Sequence, residues 1–414
     1  MSIYTSARDA ITSIPFFCHI WEYCSYFVKR RRFSEIHDII KWEEYQKSHP
    51  NEFKEMISSS HELVSYVKFI GEDNANHTTK TELQPIYLWN IKNATIIGES
   101  NVVIDSKGVG IFNHVTGENL NYTDPAIYCG KSIYKLGSNR RINYSPIRAM
   151  RTIKNGISMV HTYSWNYFHF IIEILPKFQI IHNADIPKEI PLIFDSNIKK
   201  VPQFLELIKI FNIEKRKIIY IDKLEWLKVE DAYVVTPIHR FPLNLINPCI
   251  QKIDTIAYHS GLIKWIRDHI SSHLSDSASN ASSSENKKIF LSRKSGKGRP
   301  YNESDVWNVI KDFDYKSIDT ATMSIKGQIQ MFSEANYIVA ASGAALTNII
   351  FCKPRTKVLV LYSIRDSSNF YSTLAEILNI DLQYYIGIPK DPTNIHTPFT
   401  IPIENFRNAM KLWI

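Results

Sequence analysis

The chain has 414 residues, too many for one ordinary hydrophobic core, so two domains with additional elements are expected. With 44% hydrophobic and 22% charged residues it reads as a globular protein, not a disordered one. The formal net charge of +8 suits an anionic partner, a phosphorylated small molecule or an acidic membrane surface. The sequence has no helix-turn-helix, zinc-finger or RNA-binding aromatic signature, so no nucleic-acid partner is expected.

Residues 1–84 read as a helical, polar-rich N-terminal extension. In it, Phe16, Phe17, Ile20, Trp21, Cys24, Phe27 and Val28 share one helical stripe, and Lys29-Arg30-Arg31-Arg32 follows at once. Such a stripe beside clustered positive charge can lie on an anionic membrane, or pack on the domain with its basic end in solvent. From 85 to 150, short apolar runs are broken by Asn, Gly and Asp, and 94–98 and 101–105 read as strands. Helix and strand patterns then alternate: helix 165–182, strand 191–194, helix 201–211, strands 217–221 and 232–235, helix 254–274. This alternation predicts a mainly parallel sheet covered by helices, a first α/β domain over 85–274.

The serine-rich stretch 275–286 reads as a linker. A second domain, 287–414, starts with a strand at 289–292. Asn302 is placed to cap a helix carrying Val306, Val309, Ile310 and Phe313, and Ser324 to cap another carrying Ile329 and Phe332. Strands at 315–318, 337–341 and 357–362 complete a doubly wound pattern.

The compartment expected is reducing and cytoplasmic. The cysteines (Cys18, Cys24, Cys129, Cys249 and Cys352) are odd in number and form no C-x-x-C pair. No secretory signal and no run of about 18 apolar residues is visible, and the N-x-S/T triplets, such as Asn93-Ala94-Thr95, read as chance matches.

Three segments could carry chemistry. In the first, Ser342, Gly343, Ala344 and Ala345 make a small-residue turn between a strand and a helix. Small side chains let a ligand approach the backbone, and the amides of a helix start suit a diphosphate. The same residues could be only a tight turn. In the second, Ser292, Arg293 and Lys294 end a strand, with Lys297 and Arg299 beyond. Ligands of open parallel sheets sit outside such strand ends, and arginine grips phosphate oxygens bidentately. A solvated basic loop is the alternative. In the third, His169 and Glu173 are four apart and share a helix face. A carboxylate-held histidine can act as a general base, although a histidine among aromatics can be purely structural. Pro176 should kink or restart that helix.

Together these segments resemble glycosyltransferase family 61, over roughly residues 155–385. Asn166, His169 and Glu173 match its N-x-[YF]-H-x-x-x-[DE] segment; Ser292, Arg293, Arg299, Asn302 and Glu303 match its strand ending in S-R with later R and N-E; Gln328 matches the Gln that precedes the last motif. Ser342-Gly343-Ala344-Ala345-Leu346-Thr347-Asn348 matches the last motif, H-G-A-G-L-x-N, with Ser342 replacing its histidine. A second departure is Val360, in the area where a ribose-holding Glu often stands.

The resemblance implies an α/β, GT-B-like architecture with two Rossmann-like domains facing a cleft, and inversion at the anomeric carbon. It implies a nucleotide-sugar donor held by the second domain, at Ser292, Arg293, Lys294, Arg299, Gln328, Ser342, Gly343, Ala344, Ala345 and Asn348. His169 and Glu173 would be catalytic, with either one as the base. The acceptor, a growing capsule, lipopolysaccharide or other lipid-linked bacterial glycan, would lie against the first domain at Asn166 and Tyr167. A CMP-linked sugar-acid transferase and an inactive glycan-binding protein are the alternatives. No metal or other cofactor is expected. Asp312-Phe313-Asp314 spells D-x-D but ends a helix, and His161, His169 and His182 lack zinc-ligand spacing.

Overall fold

The computed structural model describes residues 34–36, 39–72, 78–113, 133–136, 141–144, 151–223, 225–240, 256–275, 287–294, 299–363, 369–392 and 397–414. The N-terminal stripe, the basic run 29–32 and most of the serine-rich stretch lie outside these residues.

The first half is built on a nine-stranded sheet. Its strands, in chain order, are β1 (Ile39–Lys41), β2 (Phe53–Ile57), β5 (Ile86–Ile97), β6 (Val102–Ile104), β7 (Gly110–Phe112), β8 (Arg151–Ser158), β9 (Leu192–Asp195), β10 (Ile218–Ile221) and β11 (Trp226–Val235). A separate hairpin, β3 (Ser60–Ser65) with β4 (Thr78–Leu83), falls between β2 and β5. The spatial order is β10-β9-β8-β11-β5-β6-β7-β1, with β2 also on β5. The strands β10, β9, β8 and β11 run parallel, while β5 joins β11 antiparallel.

The second half is a five-stranded, wholly parallel sheet in the order β13-β12-β14-β15-β16. These are β12 (Lys287–Leu291), β13 (Lys316–Ile318), β14 (Ala335–Ala341), β15 (Lys357–Tyr362) and β16 (Asp381–Ile386). β15 reads Lys-Val-Leu-Val-Leu-Tyr and is buried from Val358 onward, the continuous apolar run of a strand covered on both faces. One contiguous core holds residues of both halves, among them Phe170 and Phe194 from the first, and Ile338 and Val360 from the second.

Both parallel sets reverse their strand order. In the first sheet the reversal falls between β8 and β11, and in the second between β12 and β14. At such a point the crossovers leave in opposite directions and open a crevice at the carboxyl ends of the strands.

The helical extension expected over 1–84 is corrected where the structure describes it. Only Trp42–Ser48 is an α-helix there, and the rest is mainly strand. The β3–β4 hairpin alternates exposed and buried positions, with Glu62, Val64, Thr81 and Leu83 inward. Polar residues at half of those inward positions hid the period of two. The segment also reaches the second sheet: Ile70 N donates to Tyr384 O at 3.0 Å, and Tyr384 N donates to Lys68 O at 2.8 Å.

Helix ends follow local chemistry. Ser324 caps its helix by accepting from Gly327 N at 3.2 Å. Asn302 also precedes a helix but makes no side-chain cap; it clamps Ile401, accepting from its N at 2.8 Å and donating to its O at 3.0 Å. Asp314, at φ 65°, ends a helical turn in the left-handed conformation, so the D-x-D triplet is a polar turn.

Candidate functional site

The first sheet's crevice begins where β8 ends. The chain continues to His161, whose backbone N donates to Asp195 Oδ2 at 3.0 Å. Asp195 closes β9 and also accepts from Glu99 N at 2.7 Å. Its complete burial pushes its pKa up to about 6, against the pull of these donors.

A broken helical run follows: Tyr167–His169, a π-type turn Phe170–Ile174, then Lys177–His182. Leu175 N donates to Phe170 O at 3.0 Å, the widened bond of a π-turn. Pro176 then restarts the helix, as the sequence predicts. The run presents His169 and Glu173 together, and His169 Nδ1 is hydrogen-bonded to Glu173 Oε2.

His161 joins this pair. Tyr163 N donates to His161 Nδ1 at 3.1 Å, so the neutral ring carries its proton on Nε2. That nitrogen faces Glu173 Oε1 at 3.6 Å. Glu173 thus lies between two imidazoles, whose rings stack at 5.6 Å. With Nδ1 of His169 donating to the carboxylate, Nε2 is its proton-accepting atom. Lys177, buried beside them, has its pKa lowered to about 8 by burial, with Glu173 and Asp195 opposing. His161, Glu173 and Lys177 line a cavity with Ser100, Asn101 and Ser158.

The second crevice is built from guanidinium groups and backbone. Glu303 accepts from Ser292 Oγ at 2.6 Å and from Arg293 N at 3.0 Å, which fixes the loop after β12. Arg293 Nη2 and Arg299 Nη2 both donate to the backbone oxygen of Ser342, the latter at 2.9 Å. Burial, and then the charge of Arg299, lowers the pKa of Arg293. A Cβ at position 343 would collide with Nη2 of Arg293; the backbone of Gly343 is extended, so space, not φ, requires glycine. Ala344 and Ala345 begin the 3₁₀ helix Ala344–Phe351 beside it.

Three successive residues join the two crevices. Tyr167 Oη donates to Asn348 Oδ1 at 2.6 Å. The ring of Phe168 meets Tyr371 edge-on at 6.0 Å, and Tyr371 Oη donates to Gly343 O at 2.7 Å. Phe168 also meets His169 edge-on at 5.4 Å.

The predicted residues therefore fall into distinct places. His169 and Glu173 come together as expected, as do Arg293, Arg299, Ser342 and Gly343. Lys294 is exposed at the rim. Gln328 and Asn348 are 3% and 0% exposed and bond to each other at 2.9 Å, so they brace the turn from beneath. Asn166 caps the helical run by accepting from Phe168 N at 2.9 Å, and Tyr167 is held by Asn348; both predicted acceptor contacts thus engage the protein itself. Val360 is fully buried in the middle of β15, away from the strand's carboxyl end. The residue there is Tyr362, whose ring lies 5.6 Å from the guanidinium of Arg299.

Sequence reasoning missed Lys177, Asp195 and Tyr371, and it weighed His161 only as a zinc ligand, rejecting it on spacing. His161 follows a strand and Asp195 ends one, the one signal that could have raised them. The ligating atoms of His161, His169 and Glu173 lie within 4.8 Å of one another, a set with metal-ligand chemistry that their spacing along the chain conceals.

Two α/β crevices, one with a carboxylate-held imidazole and one with convergent guanidiniums, suit group transfer from an anionic donor. A family model described as glycosyltransferase 61 matches residues 167–359, which span both crevices. The protein is a glycosyltransferase. Over that stretch the chain is similar to glycosyltransferase family 61. No curated protein matches the chain.

Proposed function

We propose that the protein is an inverting, metal-independent glycosyltransferase of GT-B-like arrangement. It moves a sugar from a nucleotide-sugar donor to a growing bacterial surface glycan, capsule or lipopolysaccharide. The observation that carries this is the pairing of the His169–Glu173 dyad with the Arg293–Arg299 crevice through Phe168 and Tyr371.

In this reading the donor diphosphate lies at Arg293, Arg299 and the backbone of 343–345. Two like-charged guanidiniums aimed at one carbonyl oxygen are relieved by an anion. They stabilise the charge that develops on the leaving group without a metal. Nε2 of His169 takes the proton of the attacking acceptor hydroxyl, and Glu173 stabilises the imidazolium. His161 Nε2, 3.6 Å from Glu173 Oε1, places a second imidazole against the same carboxylate. Because both guanidiniums use the backbone oxygen of residue 342, Ser342 in place of histidine leaves that contact intact.

The surface-glycan acceptor rests on the family resemblance. Among the described residues no helix is long and apolar enough to cross a membrane. Peripheral association at the cytoplasmic face through Lys29–Arg32 completes the reading; a chain lacking 1–34 should lose salt-sensitive binding to anionic vesicles.

A thermal-shift screen of UDP-, GDP-, dTDP- and CMP-sugars tests the donor class, since a ligand of the native state raises the melting temperature. A shift with one of them, followed by transfer and an inverted product anomer, is the expected result. A shift with none of them would overturn the nucleotide-sugar donor, and a retained anomer would overturn inversion.

A further inference from the structure

Trp165 is 52% exposed, whereas Trp42, Trp89, Trp226 and Trp413 are buried. A single exposed apolar side chain is ordinary on a protein surface. Its position is not. The indole stands in the turn between β8 and the helical run, on the carboxyl side of the sheet where the first strand order reverses. It meets Tyr163 edge-on at 6.4 Å, and Tyr163 stacks on His169 at 5.0 Å with the rings inclined by 28°. An aromatic series therefore leads from solvent to the candidate base.

We propose that Trp165 is the platform on which a pyranose ring of the acceptor glycan stacks while a neighbouring sugar residue presents its hydroxyl to His169. The inference rests on the transferase reading above and assigns the acceptor side of that site. An indole offers a broad, rigid apolar face at small entropic cost. A pyranose offers a matching face of C–H groups, with its hydroxyls turned outward to water or polar side chains. Asn166 and Tyr167, the acceptor contacts expected from sequence, bond within the protein; Trp165 next to them keeps its surface for a ligand. Because two ring contacts separate the indole from the imidazole, the acceptor class is an oligosaccharide, with monosaccharides weaker.

The test uses the full chain labelled with 5-fluorotryptophan, the Trp165 resonance being assigned by its loss in Trp165→Phe. Cellobiose, maltose, lactose, xylobiose and diacetylchitobiose, together with their monosaccharides, serve as probes. The Trp165 resonance should shift saturably with at least one disaccharide and less with its monosaccharide. Trp165→Ala should weaken that binding about tenfold or more, about 1.4 kcal/mol, while Trp165→Phe keeps most of it. A resonance that responds to none of the probes up to their solubility overturns the platform. So does a Trp165→Ala variant that binds them as wild type does, or one whose single defect is loss of vesicle binding. The nucleotide-sugar screen reports separately: no shift with any donor while Trp165 responds to sugars sinks the transferase mechanism and leaves the platform, and the reverse result does the opposite.

Discussion

The two crevices occupy the same position on two sheets and are furnished differently. At the first, the strand ends and the helical run bring together His161, His169, Glu173, Lys177 and Asp195, groups that gain or lose protons. At the second, the guanidinium groups of Arg293 and Arg299 converge on the backbone oxygen of Ser342, beside the small-residue turn 343–345. Reversal of strand order supplies an opening in both cases. What the chain carries just past the strands decides whether the opening handles protons or anions. Burial sharpens the first case: Asp195 is pushed up to about 6 and Lys177 down to about 8, so this edge is the pH-sensitive one.

The comparison can be broken most severely at the first crevice. His169→Ala should lower turnover by roughly 100-fold or more with donor affinity nearly intact, as loss of a general base does. Glu173→Gln keeps shape and removes charge; if it is the more damaged of the two, Glu173 is the base. Steady-state kinetics with donor binding by calorimetry separates these outcomes, and two variants that turn over normally would remove the first crevice from catalysis.

At the second crevice the defect should appear in donor affinity. Arg293→Ala should weaken donor binding by about 2–4 kcal/mol, the loss of charge-assisted contacts. Wild-type donor affinity in that variant would sink the assignment.

Lys177 gives an effect on stability with a defined pH window. Its folded pKa of about 8 lies below its ordinary 10.5, so the folded state is penalised for the charge below about 8, and the penalty fades as pH rises toward 10.5. Lys177→Met should therefore raise unfolding stability by about 1–3 kcal/mol at neutral pH. The gain should shrink steadily between pH 8 and 10.5 in denaturant titrations. A gain that is constant with pH would mean that packing, not charge burial, is responsible.

Tyr167→Phe removes the bond from one crevice's helix to Asn348 beneath the other. It should cost about 1–3 kcal/mol, because the buried amide oxygen loses its donor. Its kinetic effect should be smaller than that of either crevice's own residues. The smallest effect expected is that of a chelator. EDTA should leave transfer unchanged, and loss of activity restored by added zinc or manganese would turn His161, His169 and Glu173 into a metal site.

Much of this was legible in the sequence. Strand and helix alternation gave the second sheet nearly strand for strand, because each buried parallel strand is a continuous apolar run and each helix has its own period. The pairing of His169 with Glu173 followed from four-residue spacing, a local relation that survives the π-turn. The β3–β4 hairpin was missed because polar residues such as Glu62 and Thr81 occupy inward positions and mask a period of two.

What only tertiary structure decided is everything that depends on neighbours distant in the chain. His161 reaches Glu173 because β8 ends beside the helical run, and Asp195 reaches His161 because β9 pairs with β8. The roles within each motif were likewise settled by packing. Gln328 and Asn348, expected as donor contacts, became a buried brace; Asn302, expected as a helix cap, became a clamp on Ile401; and Val360, expected near a ribose, became a core residue. A sequence specifies which groups are available and which local periods they obey. Which of them meet, and which are withdrawn from solvent, depends on strand order and shared core, and those are properties of the whole chain.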